Sequence, residues 1–389
     1  MSSDCELLTR AVETVVPKEL AEQKLKTGKP IRIYFGIDPT GSKLHVGHSV
    51  PLLKMRAFQD AGHHVILLIG SFTAMIGDPS GRDELRKALT AEQVKKNFET
   101  YLEQAKLILD LKKIEVVYNH EWLSKFKFDD IAKIASNFTV QQMLKRDMFQ
   151  KRLQEDKPIG LHEFLYPLMQ GYDSVNLDVD CEIGGNDQLF NMLCGRTLQQ
   201  AFGKRNKFVL TTKLIEGTDG RKMSKSYENC IYITDAPDEM YGRVLRVQDE
   251  LIPVYMECCT NMPMAEVQEA AKALKKGDVN PKDLKMRLAR ELVTMYHGKA
   301  AAEAAEREFE NVFKNKGTPE DMPEFKAKKG MLLIDALIAS KSVTSKSEAR
   351  RLIEQGGIKV NDKPVTSADA KVEEGITKVG KRKFLHIAL

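Results

Sequence analysis

Apolar residues in the first half of the chain fall into short continuous runs separated by stretches of helical period. "IRIYFGIDPTG" reads as a strand over 31–35 and then a turn; "HVGHSVPLLKMRAFQDAG" reads as a helix ending near Gly62, a suitable C-cap. Pro51 falls in the first turn of that helix, where a missing N–H is tolerated. "HVILLIG" has no polar alternation, which predicts a strand buried on both faces. "SFTAMIGDPSGR" is a loop, and a helix starts near Thr90 with Gln93 placed for a capping box. "KIEVVYN" is a third strand. This β–α–β–α–β alternation predicts a parallel sheet in an α/β domain.

Further along, "NLDVDCEIGG" alternates: Leu177, Val179, Cys181 and Ile183 point one way, Asp178, Asp180 and Glu182 the other. "NDQLFNMLCGRTLQQAFG" is a helix closed by glycine. Around 233–237 the pattern changes, and residues 238–312 are helical throughout. "NKGTPEDMPEFKAKKG" at 315–330 combines Pro, Gly and charge and reads as a linker. The last stretch is a small α+β unit: helices "LLIDALIAS" and "SKSEARRLIEQG", then short strands "IKVN" and "KPV".

Composition adds three constraints. No apolar run approaches the roughly eighteen residues of a membrane span, and the N-terminus has neither a signal core nor the Arg-rich character of a presequence, so the expected location is the cytoplasm. The six cysteines form no C-x-x-C pair and two are adjacent, which suits reduced, mostly buried thiols. Net charge is +5, but residues 326–389 alone hold fourteen Lys/Arg against seven Asp/Glu. A basic tail on a mildly acidic body suits a polyanionic partner or a solvated surface.

Two short stretches carry chemistry. In "HVGH", His45 and His48 sit where a strand and turn pass into a helix. No second ligand pair or Cys cluster is available for zinc, so no dedicated metal site is expected. The pair is either an ordinary surface feature or an anion site, because a helix N-terminus offers free N–H groups and a positive dipole end. Gly47 between them leaves room for a flat base or ribose. "KMSKS" at 222–226 follows "EGTDGR" and is either a solvated loop or a mobile arm closing on phosphates. The chain has no P-loop pattern. Strand ends of a parallel sheet share one edge, so the two stretches could face each other across one cleft.

"HVGH" with "KMSKS", in this order and in an α/β context, resembles the paired motifs of class I aminoacyl-tRNA synthetases. "YFGIDPTGSKLHVGH", "IGDPSGR", "YPLMQGYDS" and "GGNDQLFN" narrow the resemblance to the bacterial-type tyrosyl-tRNA synthetases, over essentially the whole chain. The resemblance implies a Rossmann-like parallel-sheet catalytic domain (1–236), an α-helical anticodon-binding domain (237–325) and a C-terminal α+β RNA-binding domain (326–389). The last resembles the domain of ribosomal small-subunit protein four, with Lys346, Arg350, Arg351 and Lys359 as its phosphate-reading residues.

The same resemblance implies a tyrosine site and an ATP site. Tyr34 and Asp173 match the pair that hydrogen-bonds the substrate phenol; Asp78, Tyr166 and Gln170 match the α-amino contacts, and Gln188 a residue near the carboxylate. Gly36, Asp38, Gly47, Gly185 and Asp187 match nucleotide contacts. Thr40, His45 and His48 match the first phosphate-binding motif, Arg82 and Arg86 a basic mobile segment, Lys222 and Lys225 the second motif. Asp173 supplies an obligate acceptor and Tyr34 a hydroxyl able to donate. Such a pocket rejects phenylalanine by leaving buried polar groups unpaired, a rule of which these enzymes are a known instance.

The implied reaction joins tyrosine to ATP, giving tyrosyl-adenylate and pyrophosphate, and then transfers the acyl group to tRNA(Tyr). Lys222 and Lys225 would gather around the pyrophosphate, with Gly217 and Gly220 giving the loop room to close. Magnesium accompanies ATP, and a homodimer without membrane contact is expected. Leu189 and Pro51 depart from many relatives near the nucleotide and leave the core chemistry intact. The competing readings are a tryptophanyl enzyme, against which Tyr34, Asp173 and the basic tail argue; an RNA-binding descendant without catalysis, against which two whole motifs argue; and a nucleotidyltransferase, which should lack the two C-terminal domains.

Overall fold

The computed structural model describes residues 4–39, 41, 43–80, 89–313, 322–380 and 383–389. The chain divides into two compact units, Met1–Ala302 and Glu303–Leu389. Among the described residues the first unit holds a six-stranded sheet: β1 (Val12–Val16), β2 (Arg32–Ile37), β3 (His64–Ile69), β4 (Glu115–Tyr118), β5 (Cys181–Gly185) and β6 (Phe208–Thr212). Their order is β1-β6-β5-β2-β3-β4. All neighbours pair in parallel except the edge strand β1, antiparallel to β6.

This Rossmann-like order has a consequence for binding. From β2 the chain winds outward through β3 to β4; from β5 it winds the other way to β6. The crossovers diverge between β2 and β5, and the crevice at their C-terminal ends is where open α/β sheets bind ligands. Gly36 and Ile37 end one strand there, Gly184 and Gly185 the other.

The expected elements form with instructive differences. The helix after β2 runs Val46–Asp60, and Gly62 follows it with φ +85°. It starts earlier than Pro51's tolerated position requires, so Pro51 lies inside the helix rather than in its first turn and cannot donate to the Gly47 carbonyl. The helix Ala91–Ala105 has the predicted reciprocal cap: Gln93 N–H donates to Thr90 Oγ1 at 3.2 Å and Thr90 N–H to Gln93 Oε1 at 3.0 Å.

The alternation expected of "NLDVDCEIGG" gives way to a strand buried on both faces. Leu177 ends a helix (Leu161–Leu177), and Asp180 and Glu182 are only 5% and 1% exposed. A central strand of a parallel sheet is covered above and below, so its carboxylates are matched internally. Lys24 donates to Asp180 Oδ1 at 2.6 Å, and Lys207 pairs with Glu182.

Five helices follow: Pro237–Val244, Ile252–Cys259, Met264–Lys276, Pro281–His297 and Lys299–Phe313. They are the helical stretch expected at 238–312. Ties to the sheet are direct, including Lys213 to Glu257 at 2.8 Å and Arg10 Nη2 to the Thr260 carbonyl at 2.6 Å. Cys181, Cys194, Cys230, Cys258 and Cys259 are buried and free.

The second unit contains a five-stranded sheet of order β7-β11-β10-β8-β9, made by β7 (Glu324–Lys326), β8 (Ile358–Val360), β9 (Lys363–Pro364), β10 (Gly375–Val379) and β11 (Lys383–Ala388). Helices Leu333–Ala339 and Lys346–Glu354 close its core around Leu337, Ala349 and Leu385. Of the expected linker at 315–330, residues 315–321 lie outside the described ones. The remainder is not a linker: β7 pairs in parallel with β11, and Ala327 is buried.

Close helix packing in the first unit depends on Gly195, on the helix Leu189–Ala201. A Cβ there would stand 2.5 Å from both Lys207 Nζ and Ser174 Oγ. Gly195→Ala should therefore cost about 1–3 kcal/mol, the range for overpacking a filled core. Urea unfolding of the variant beside the parent checks this, and an unchanged midpoint would contradict it.

Candidate active site

Three ends of chain meet at the crevice between β2 and β5. The first is the segment after β2. Asp38 accepts from Thr73 Oγ1 at 2.7 Å and from the Tyr166 hydroxyl at 2.9 Å, which joins the β2 end to the loop after β3 and to the helix Leu161–Leu177. The second is the turn after β5. Gln188 Nε2 donates to Asp78 Oδ2 at 2.7 Å, and Asn191 Nδ2 to Gln188 Oε1 at 3.0 Å. The third is the chain after "KMSKS". Val46 N–H donates to the Ile231 carbonyl at 2.9 Å, and Ile233 N–H to the Leu44 carbonyl at 3.0 Å. A Cβ on Gly47 would lie 3.2 Å from Met223 Sδ and 3.0 Å from the His45 ring. The two motifs are thus in contact, with the glycine between the histidines permitting the approach.

The histidines are held as neutral rings. They stack at 3.7 Å between centroids. Burial, with His48 nearby, lowers His45 to about 3, and burial lowers His48 to about 4. His45 N–H donates to His48 Nδ1 at 3.3 Å, so the neutral His48 ring carries its hydrogen on Nε2. Each imidazole can donate one hydrogen bond at the helix N-terminus without adding charge.

The second-motif loop is organised by Asn229. Its Nδ2 donates to Asp219 Oδ1 at 2.8 Å and to the Lys222 carbonyl at 3.1 Å, and its Oδ1 accepts Ser224 N–H at 2.9 Å. Gly217 and Gly220 have a different job from the expected one. Gly217 has the Asn229 amide where a Cβ would be, and Gly220, at φ +78°, has Gln248 Oε1 2.5 Å from that point. They let side chains pin the loop rather than free it. Lys222 is exposed, and its charge partly offsets the upward push that burial and Asp78 give the Asp187 carboxyl.

Tyr34, on β2, and Asp173, on the helix Leu161–Leu177, are both buried. Burial, followed by the Glu182 and Asp173 carboxyls, pushes the Tyr34 hydroxyl upward, so it stays protonated. Its partner is Ser174 Oγ at 2.9 Å. That oxygen accepts from Lys207 Nζ at 2.6 Å and can donate to Glu182 at 3.3 Å. Ser174 Oγ has one hydrogen, which it gives either to Glu182 or to Tyr34, so the Tyr34–Ser174 bond can run in either direction. Asp173 accepts from Trp122 Nε1 at 2.8 Å and Asn119 Nδ2 at 3.2 Å, while burial raises its carboxyl well above the usual range. Gln170 Nε2 donates to Glu182 Oε1 at 3.0 Å.

Of the residues nominated from sequence, Tyr34, Gly36, Asp38, His45, Gly47, His48, Asp78, Tyr166, Gln170, Asp173, Gly185, Asp187, Gln188 and Lys222 are carried by the elements around this crevice. Thr40, Arg82 and Arg86 lie outside the described residues. Lys225 opens the short turn Lys225–Tyr227, and its side chain lies outside the described ones. Lys346, Arg350, Arg351 and Lys359 are exposed on one helix and one strand of the second unit. Sequence reasoning missed Ser174, Lys207, Glu182, Asn119 and Trp122. Trp122 is the chain's one tryptophan, the only signal any of them offered.

The family described as "tRNA synthetases class I (W and Y)" matches residues 26–314, and "Tyrosine--tRNA ligase SYY-like C-terminal domain" matches residues 314–385. The tyrosine--tRNA ligase of Geobacter metallireducens is 48% identical, covering 97% of this chain and 96% of its own. That of Carboxydothermus hydrogenoformans is 45% identical over 98% and 97%. This chain belongs to the tyrosine--tRNA ligase family of class I tRNA synthetases. The Vibrio cholerae "Tyrosine--tRNA ligase 2" is 43% identical over 98% of this chain. Among solved structures, a tyrosyl-tRNA synthetase from Archaeoglobus fulgidus complexed with L-tyrosine shares the fold at 23% identity, with a TM-score of 0.62 over 78% of this chain and 98% of that one.

The lowered histidines predict a pH dependence. Between about pH 6.5 and 4 the unfolded chain binds protons that folded His48 refuses, so stability falls as pH falls through this window and is fully present above it. His48→Asn keeps an acceptor for His45 N–H and should reduce the loss between pH 7 and pH 5 by about 2 kcal/mol. Urea melts at the two pH values measure it; parallel losses in both proteins would refute the assignment.

Proposed function

We propose that this chain activates tyrosine with ATP and transfers it to tRNA(Tyr). It is an aminoacyl-tRNA ligase, and its full-length relatives at 43–48% identity are tyrosine ligases. The observation that carries the reading is the pairing of the two motifs at the topological switch point, where Val46 N–H meets the Ile231 carbonyl. Beside it lie two buried polar groups, Tyr34 and Asp173, of the kind a phenol needs.

The tyrosine carboxylate attacks the α-phosphate of ATP in line. The bond to the β-phosphate breaks, and pyrophosphate leaves with its electron pair. A terminal tRNA hydroxyl then takes the acyl group and AMP departs. This chemistry is positioning and charge stabilisation, with no side-chain nucleophile. His45 and His48 donate to phosphate as neutral rings, and Lys222 and Lys225 balance the charge that builds on pyrophosphate. Magnesium enters as part of the ATP substrate, bound by phosphates and water. Asp78, Tyr166, Gln170 and Gln188 take the amino-acid end; Gly36, Asp38, Gly185 and Asp187 take the nucleotide, while Thr40, Arg82 and Arg86 keep the roles the family resemblance gives them.

The three-part division at 236 and 325 is part of this proposal, with the helical segment reading the anticodon and the exposed basic residues of the tail contacting tRNA phosphates. So are a cytoplasmic location and a homodimer; among the described residues no helix is long and apolar enough to cross a membrane. What supports the dimer is a set of large apolar side chains on the helices between β4 and β5, with Phe128 88% and Leu161 77% exposed beside Val140 and Leu153.

Tyrosine-dependent ATP–pyrophosphate exchange tests the reaction. Exchange should occur with tyrosine and not with tryptophan or phenylalanine, and Lys225→Ala should lower its kcat about 10²–10³-fold, the size of a lost transition-state donor. Exchange with no amino acid by folded protein would overturn the reading. Phe128→Asp with Leu161→Asp should halve the mass seen by light scattering; a parent that is itself monomeric would remove the dimer.

A further inference from the structure

The pair made by Lys207 and Glu182 is wholly enclosed, with side chains 0% and 2% exposed. Stability does not account for it. Charges taken out of water recover little of their hydration, and an apolar pair of similar volume commonly serves as well or better. The pair is also not part of the ATP crevice. It sits behind Tyr34, with Lys207 Nζ 5.7 Å from the centre of the Tyr34 ring.

Its contacts reach two substrate-facing residues at once. Lys207 Nζ donates to Ser174 Oγ, Glu182 lies within reach of the same oxygen, and that oxygen meets the Tyr34 hydroxyl at 2.9 Å, which fixes where the hydroxyl stands. The other carboxylate oxygen of Glu182 accepts from Gln170 Nε2 at 3.0 Å. One buried carboxylate thus anchors a residue at each end of the amino-acid site.

We propose that Glu182 and Lys207 are positioning residues that act through Ser174 and Gln170, and that by fixing the Tyr34 hydroxyl they set the preference for tyrosine over phenylalanine. The inference rests on the tyrosine-activating reading above. A phenol oxygen can both donate its one hydrogen and accept another, so it can bond two fixed neighbours, Asp173 on one side and the Tyr34 hydroxyl on the other. Phenylalanine offers neither bond and gives up what these buried groups would gain from it. With the pair removed, the Tyr34 hydroxyl and Gln170 lose their anchor, and the advantage of tyrosine over phenylalanine shrinks. The close approach of Ser174 and Lys207 to Gly195 is the packing that holds the arrangement together.

The test is pyrophosphate exchange by the full chain carrying Lys207→Met together with Glu182→Gln, which keeps volume and leaves no lone buried charge. The KM for tyrosine should rise about tenfold, the KM for ATP should stay unchanged, and the tyrosine-to-phenylalanine ratio of kcat/KM should fall about tenfold or more. A purely structural role would lower activity without moving this ratio. Should the double variant fail to fold by circular dichroism, Ser174→Ala decides: it spares the ion pair and the Gln170 contact, so the ratio should fall with a smaller change in tyrosine KM. A folded variant with the parent's ratio and tyrosine KM overturns the inference while leaving the enzyme reading intact. Absence of tyrosine-dependent exchange in the parent protein would instead overturn the enzyme reading, and this inference with it.

Discussion

Strands β2 and β5 are covered on both faces, so every polar group they carry must find its partner inside the protein. Most of the site follows from that constraint. Tyr34 and Glu182 lie opposite each other in the parallel register of these strands. Their polar ends are satisfied by Ser174 and Gln170 from the helix above and by Lys207 from the approach to β6. A hydrocarbon core would need none of this. A site that must recognise a phenol needs polar atoms held at fixed angles in a dry place, and low dielectric makes each such bond both stronger and costlier to leave unmade. Gly171 and Gly195 are the corresponding concession in the helices: a Cβ on Gly171 would come within 3.1 Å of the Gly195 nitrogen. Side chains there would hold the helices too far apart for the network to close.

The parallel sheet also decides what the two motifs can do. Its strand order brings the chain after β2 and the chain after β6 to one edge, and backbone hydrogen bonds from residues 44–46 to 231–233 tie them together. The second motif is therefore a loop anchored at both ends. Tyr255 holds the Glu216 carbonyl at 2.6 Å on one side, and Asn229 gathers the loop backbone on the other. What stands out from it is the exposed Lys222 side chain, and an anchored loop has little entropy left to lose when that side chain meets a ligand.

Much of this was legible in the sequence because it depends on period and on local caps. β3 and the helix Ala91–Ala105 are written as a continuous apolar run and a capping box. The two motifs were legible because each is contiguous. What escaped was pairing over long distance. Alternation put Glu182 on the face opposite Cys181 and Ile183 but does not say whether that face is covered, and its partner Lys207 lies 25 residues away. Trp122 reaches Asp173 only because a one-turn helix follows β4, which no periodicity announces. The strand Glu324–Lys326 was hidden by its linker-like composition, since its pairing partner β11 comes at the end of the chain. Pro51 was misplaced for a different reason: the helix begins at Val46 because His45, whose N–H is taken by His48, serves as its cap.

In the proposed reaction the neutral histidines and the cationic loop divide one task between them. A charged imidazole at the head of the helix Val46–Asp60 would attract ATP strongly in the ground state, whether or not reaction followed. Burial keeps both rings uncharged near neutral pH, so the first motif contributes directed N–H groups and the helix dipole. Positive charge is left to an exposed loop that can approach as charge moves onto the leaving pyrophosphate. Interactions made equally in ground and transition states lower KM without raising kcat, whereas those realised only at the transition state raise kcat. On that reading, fixed neutral donors at the sheet edge and charged side chains on the exposed loop put the stronger electrostatic term where it accelerates the step. The contact of Met223 with Gly47 keeps the two halves adjacent while that happens.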